Sequence, residues 1–313
     1  MNLHETAGGK EIARYVNQVI GADVWSDREP VNIEDIFTHL EVDIERSSRS
    51  ELLVVRQSFL DLIQDLLELL GENVLKHGEY YDLLSRVDKT DTLITYNWDL
   101  LLDNALNREK ILLTYYEENA FGGLGQYANF VLNQSAISEQ TFRHSTLEPP
   151  YNRWRPDAGF YLKLHGSIDW FYCQNTACRA FGSVFPWLDL RESACCAECH
   201  ERLDVLIVPP VLNKDYRKHA FVRRVWNVAA LEIATASMLI VWGYSLPPTD
   251  FHSMWLFRQA RKALLQNLVL INPLVDDPNY VLRFREIFRG KDAKISLYKS
   301  YEDFAKAHPV EKA

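Results

Sequence analysis

Four short, nearly unbroken apolar runs constrain this chain more than any other feature: Leu93-Ile94-Thr95-Tyr96, Val205-Leu206-Ile207-Val208, Met238-Leu239-Ile240-Val241-Trp242 and Leu268-Val269-Leu270-Ile271. Each is too short for a helix and lacks the alternation of a half-exposed strand. That pattern fits strands buried on both faces of a parallel sheet. Helical patterns lie between them at 220–236 and 250–266, followed by a helix at 279–288, a strand at 294–298 and a helix at 301–307. Strands alternating with helices predict an α/β fold with a doubly wound, Rossmann-like parallel sheet.

The regions before and within this alternation differ from it. Residues 10–90 read mostly as helix: Leu52, Val55, Phe59, Leu62, Ile63, Leu66, Leu67 and Leu70 recur at helical spacing, with Gly71 as a stop. The segment Asn32-Ile33-Glu34-Asp35-Ile36-Phe37 has the form of a capped helix start. Gly122-Gly123-Leu124-Gly125 and Pro149-Pro150 mark loops in a stretch, 107–160, where no element is evident. The expected organisation is a helical region at 1–90, a Rossmann-like domain at 91–169 and 205–313, and a cysteine-bearing module at 170–204.

Charge excludes some partners. The net charge is −9, and Lys and Arg are scattered apart from small groups such as Arg223-Arg224 and Arg283-Arg285. A duplex-binding protein shows a basic stripe, so direct nucleic-acid binding is not expected. A small anion remains compatible, because backbone N–H groups at helix starts hold phosphates without net positive charge. Met1–Lys10 lacks a secretory apolar core, and the most apolar stretch, Ser237–Leu246, is too short to span a bilayer. The expected location is cytoplasmic, with no membrane partner.

All five cysteines lie between Cys173 and Cys199. Disulfides are uncommon in a reducing compartment, so clustered thiols there point to a metal. Cys173-x4-Cys178 and Cys196-x2-Cys199 supply two thiolate pairs, the arrangement of paired zinc knuckles. Four thiolates leave no open position for water, so the expected zinc is structural. Cys195 can replace Cys196 if the knuckle shifts by one residue, and His200 is a further alternative.

Other polar residues stand where apolar runs end. Thr95, Asn97 and Asp99 end or follow the first run, Gly243 and Ser245 the third, and Asn272 the fourth. Ligands in open α/β sheets sit beyond the carboxyl ends of the strands, and these residue types suit the phosphates, ribose hydroxyls and carboxamide of a dinucleotide. Ordinary helix capping accounts for any one of them equally well. His165, in Leu164-His165-Gly166-Ser167, precedes a turn, and an imidazole titrating near neutrality suits a general base. Asp250 reads as an N-cap, His252 as exposed, and Trp170, Trp187, Trp226 and Trp255 as packing residues. No Walker A loop, serine nucleophile elbow or HExxH motif is present.

In this order the pieces resemble the sirtuin family over residues 90–275. Thr95-Tyr96-Asn97-Trp98-Asp99 resembles its T-Q-N-I-D segment, and His165-Gly166 its H-G pair. The two cysteine pairs fall where the family has its zinc module. Gly243-Tyr244-Ser245 resembles its G-T-S turn, and Ile271-Asn272 its later I-N. The runs Asn97–Asp103 and Gly243–Asp250 look like the divergent bacterial sirtuin-like branch associated with antiphage defence. The resemblance implies that NAD is cleaved as substrate, with release of nicotinamide. It implies His165 as general base, Asn97 orienting the nicotinamide ribose or the attacking water, and Asp99 holding the carboxamide. Gly243 and Ser245 would contact phosphate or ribose, and Asn272 the adenosine ribose. A second copy or a defence-system protein would be the partner. Tyr96 and Trp98 depart from the family pattern. The family's opening strand and G-A-G-x-S loop have no counterpart here, since Gly8-Gly9 follows no apolar strand. The alternatives are therefore an NAD-dependent protein deacylase, or a nucleotide-binding or assembly module with weak catalysis.

Overall fold

The computed structural model describes Arg14, Tyr15 and residues 33–108, 160–208 and 220–309, except 48, 75–77, 88–90, 182–183, 187–194, 197, 249, 261–263 and 291–292. The described chain is a mixed α/β protein with small parallel sheets. It divides into two compact units. The first takes its described residues from Met1–Lys76, Tyr96–Leu101 and His165–His219. The second takes them from His77–Thr95, Leu102–Leu164 and Ala220–Ala313.

The first unit joins helices α1 (Ile33–Arg46) and α2 (Ser50–Val74) to strands β3 (Gly166–Tyr172), β4 (Val184–Pro186) and β5 (Asp204–Ile207). Ile36, Phe37 and Leu40 of α1 meet Leu52, Phe59, Leu60 and Ile63 of α2, and Ile168, Val205 and Ile207 close the same core. These helical residues recur at three- and four-residue steps, which makes one apolar stripe per helix. Phe37 and Phe59 lie 5.2 Å apart between ring centroids. Helix α2 runs through Gly71 to Val74, so that glycine is not the stop the sequence suggested. A glycine inside a helix costs only about 1 kcal/mol, which an apolar stripe can outweigh.

The sheet order is β4-β3-β5, and both pairings of β3 are antiparallel. This corrects one expectation: Val205–Val208 does not join a parallel sheet. An unbroken apolar run reports burial on both faces, and burial does not distinguish the two pairings. The cysteine segment lies between β3 and β5, so β5 brings the chain back beside β3.

The second unit holds the parallel strands. Strand β1 (Leu93–Thr95) pairs with β2 (Tyr161–Lys163), and β6 (Met238–Trp242), β7 (Asn267–Ile271) and β8 (Lys294–Tyr298) form a second parallel sheet in that order. Its helices are α3 (Gly78–Arg86), α4 (Leu101–Arg108, of which Leu101 belongs to the first unit), α5 (Ala220–Thr235), α6 (Phe251–Arg258), α7 (Pro278–Ile287) and α8 (Tyr301–Ala307). Helix starts follow their local chemistry: Asp250, Asp277 and Ser300 each accept a backbone N–H at an N-terminus, and Pro278 opens α7. Val269 and Ile271 pack with Tyr301 and Phe304 on one face of β7. Arg86 and Tyr301 both bond Asp82, at 2.7 and 2.8 Å, tying α3 to α8.

One charged pair lies deep in this unit. Lys163, in β2, is 1% exposed, and its ammonium lies 2.9 Å from Asp103 of α4. The Tyr161 hydroxyl donates to the same carboxylate oxygen at 2.9 Å. Trp170 and Trp226 are buried as expected, but Trp255 is half exposed on α6. Trp187, the Gly122 and Pro149 loops, Gly8-Gly9 and Asn32 lie outside the described residues.

Candidate metal centre and strand-end residues

Four sulfurs converge in the first unit. The ligand atoms of Cys173, Cys178, Cys196 and Cys199 all lie within 4.8 Å of one another. The Cys173–Cys199 and Cys178–Cys196 sulfurs are 3.6 and 3.7 Å apart. A tetrahedral ion with metal–sulfur bonds of about 2.3 Å places its sulfurs roughly 3.8 Å apart, so the donor set and its spacing fit a metal such as zinc.

The local chain explains the convergence. Cys173 directly follows β3 and forms an isolated bridge with Phe181, which folds 173–181 into a tight loop. Within it Cys178 N–H donates to Asn175 O at 2.9 Å, and Phe181 N–H to Cys178 O at 3.0 Å. The second loop closes through Cys196 N–H to Glu201 O and His200 N–H to Cys196 O, both 2.8 Å. His200 sits at φ 61°, where it turns the chain and does not serve as a ligand. Asn175 donates to Glu201 at 2.9 Å and links the two loops. Cys195 is exposed and outside the cluster, so the fourth thiol is Cys196.

The thiols are not equivalent. Backbone N–H groups of Cys199 and Glu198 bring the Cys196 thiol down to about 7. Burial pushes the Cys173 thiol up to about 12 and raises Cys178. Desolvation opposes a lone buried thiolate, and a bound dication offsets that cost. Among the described residues, Leu203, Ala180, Phe171 and the cysteines themselves make up the apolar packing here. A metal held by the four sulfurs would add order to this packing.

The strand-end residues fall into two groups. In the first unit, Tyr96–Leu101 and the turn at His165 are stitched together. Ile168 N–H donates to Trp98 O at 3.1 Å, and the Tyr96 and His165 rings meet edge-on at 5.2 Å. The backbone of His165 is held by Val208 N–H to His165 O at 2.8 Å. Gly166 follows at φ +79°, and any side chain there would overlap the Leu206 carbonyl. The Gly of the His-Gly pair is thus a packing requirement of the β3–β5 contact. His165 as a whole is 8% exposed. Asn97 is exposed, while the Asp99 side chain accepts Leu101 N–H at 2.9 Å, just before α4.

In the second unit, Thr95 is the last residue of β1 and accepts Leu164 N–H at 2.9 Å through its carbonyl. Trp226 donates to Leu164 O at 2.8 Å. Gly243 follows β6 at φ +73° and is exposed, as is Ser245. Asn272 is 5% exposed and caps a 3-10 helix (Pro273–Asp276) by accepting Leu274 N–H at 2.9 Å. Asp250 is the expected cap and also accepts the hydroxyls of Tyr244 and Ser253, at 2.7 and 2.8 Å. His252 is half-buried, its ring 6.1 Å from that of Trp226.

Two features were missed in the sequence. A lone Lys between apolar residues in Tyr161-Leu162-Lys163-Leu164 signals a buried partner, and Asp103 is that partner. Arg283 stood out only as one of two nearby arginines, yet its guanidinium bonds Ser245 O at 3.3 Å. No helix among the described residues is long and apolar enough to cross a membrane. No protein-family model and no curated protein matches the chain.

Proposed function

We propose that this chain is a sirtuin-like NAD hydrolase that releases nicotinamide, acts in the cytoplasm in defence against phage, and holds a structural zinc. The observation that carries the reading is the parallel pairing of β1 and β2. It delivers the Tyr96–Asp99 segment and the Leu164–His165 turn at neighbouring strand ends, with the imidazole against Tyr96. The reading also takes the two parallel sheets of the second unit as parts of one doubly wound sheet. Support comes from α5, which packs on β2 and leads directly into β6.

In the reaction, water adds at C1′ of the nicotinamide ribose as nicotinamide departs. Stabilising the cationic ribose is mostly electrostatic work. His165 accepts a proton, Asn97 orients the ribose or the water, and Asp99 holds the carboxamide. Thr95, Gly243, Ser245 and Asn272 carry nucleotide binding. Zinc on Cys173, Cys178, Cys196 and Cys199 supplies folding free energy to its module, with no part in bond cleavage.

A second reading, a nucleotide-binding or assembly module without turnover, is favoured by specific engagements. The side chains of Asp99 and Asn272 already accept backbone N–H groups of Leu101 and Leu274, and His165 is nearly enclosed. The test is incubation with NAD while nicotinamide is followed, with and without an acetylated peptide. Release without peptide is expected. Release only with peptide means a deacylase, and none in either arm leaves the binding module. His165→Ala should abolish release with zinc content unchanged; undiminished turnover would remove His165 from its role.

A further inference from the structure

We propose that Arg283, Ser245 and the Gly243 turn form an anion site that takes a phosphate group of a nucleotide. The site deepens the nucleotide-binding reading above and rests on it for the identity of the ligand. Its carrier is the unusual setting of one guanidinium.

Arg283 projects from α7 towards the turn that follows β6. One terminal nitrogen donates to Ser245 O at 3.3 Å, and the guanidinium carbon lies 5.8 Å from the centroid of the Tyr280 ring. That ring is itself immobilised. Tyr280 is 0% exposed, and its hydroxyl donates to Tyr244 O at 3.1 Å. The guanidinium is therefore placed before any ligand arrives, and less ordering is needed on binding.

The donor inventory is incomplete. Among the described residues the Nε–H of Arg283 is buried and has no acceptor, and no carboxylate forms an ion pair with this side chain. A buried donor without a partner is costly, and a guanidinium carries five donors in a fork that matches phosphate.

The surroundings suit a phosphate. Gly243, at φ +73°, has no atom within 4 Å of where a side chain would begin, so a ligand can approach the backbone. Ser245 is exposed, and its hydroxyl has no partner among the described residues. The group lies beyond the carboxyl end of β6, where open α/β sheets receive ligands. The Arg283 guanidinium and the Ser245 hydroxyl offer donors to an anion, and the Gly243 turn leaves room for it beside them, its own N–H being held by Ile271 O at 2.9 Å.

The test is calorimetric titration of the full chain with ADP and, separately, with adenosine, using wild type, Arg283→Gln, Arg283→Lys and Ser245→Ala. Wild type should bind ADP more tightly than adenosine. Arg283→Gln should weaken ADP about tenfold or more and leave adenosine unchanged. Arg283→Lys should recover part of the loss, since it keeps the charge without the fork. Ser245→Ala, altering an exposed side chain, gives a several-fold loss and stands in if Arg283→Gln does not fold. Equal ADP affinity in wild type and the variants, or no ADP binding to wild type, overturns the site. Wild type that binds ADP in this pattern but never releases nicotinamide refutes the hydrolase and leaves the anion site intact.

Discussion

Replacing Gly166 by Ala tests the geometry that holds His165 in place. The Cβ would lie 2.9 Å from the Leu206 carbonyl carbon and closer still to its oxygen, at a backbone φ of +79°. The conformation alone costs an L-residue about 1–2 kcal/mol. The overlap is with backbone, which cannot rotate away, so β3 and β5 must separate at Gly166 and Ile207. Separation there strains the Val208 N–H bond to His165 O, worth about 1 kcal/mol net and more if the groups stay buried. The sum is about 3 kcal/mol or more, a large part of an ordinary domain's stability. Gly243→Ala is the control: its φ of +73° is similar, but nothing lies within 4 Å of the new methyl. It should cost only the conformational part, about 1–2 kcal/mol. Amide exchange is the assay, because each unit reports locally. Gly166→Ala should lose protection in 166–172 and 203–208, and Gly243→Ala should lose little. Equal losses in the two variants would refute the steric argument.

Cys196→Ser should remove the bound metal and unfold the 173–202 segment, whereas Cys195→Ser should keep one metal per chain; metal content by elemental analysis separates them, and equal loss would reassign the fourth ligand. Asp204 gives a pH test. Burial raises its carboxyl above the ordinary value, against the pull of Arg56 and Arg202, so the unfolded chain ionises first and stability declines as pH rises through that interval. Asp204→Asn should therefore be neutral or stabilising at pH 7 in urea melts and should flatten the acid-side slope; a clear loss of stability would show the carboxylate to be favourably held.

Much of the second unit was legible in the sequence. The helix and strand expected at 279–288 and 294–298 appear at 278–287 and 294–298, and the final helix matches at 301–307. These segments combine strong periodicity with local caps at Asp277 and Ser300 that compete with nothing else. The cysteine spacing identified the cluster, but only burial separated Cys196 from its neighbour. Val205–Val208 was misplaced because pairing direction is a long-range property, set by where β3 lies. Gly71 failed as a stop because a glycine costs a helix only about 1 kcal/mol, and α2 runs through it to Val74. Arg283 was illegible for the same reason as β5: its meaning comes from the Gly243 turn, forty residues away along the chain.

The ion pair beneath β2 restricts how that strand can slide. Side chains alternate across a strand, so displacing β2 by one residue along β1 would turn Lys163 to the opposite face. Its ammonium would leave Asp103 and enter apolar surroundings, and the carboxylate would lose Tyr161 in the same step. Apolar neighbours such as Leu162 and Leu164 would tolerate the shift far better. A three-residue strand of leucines alone would have several near-equivalent seats; one lysine leaves it a single one.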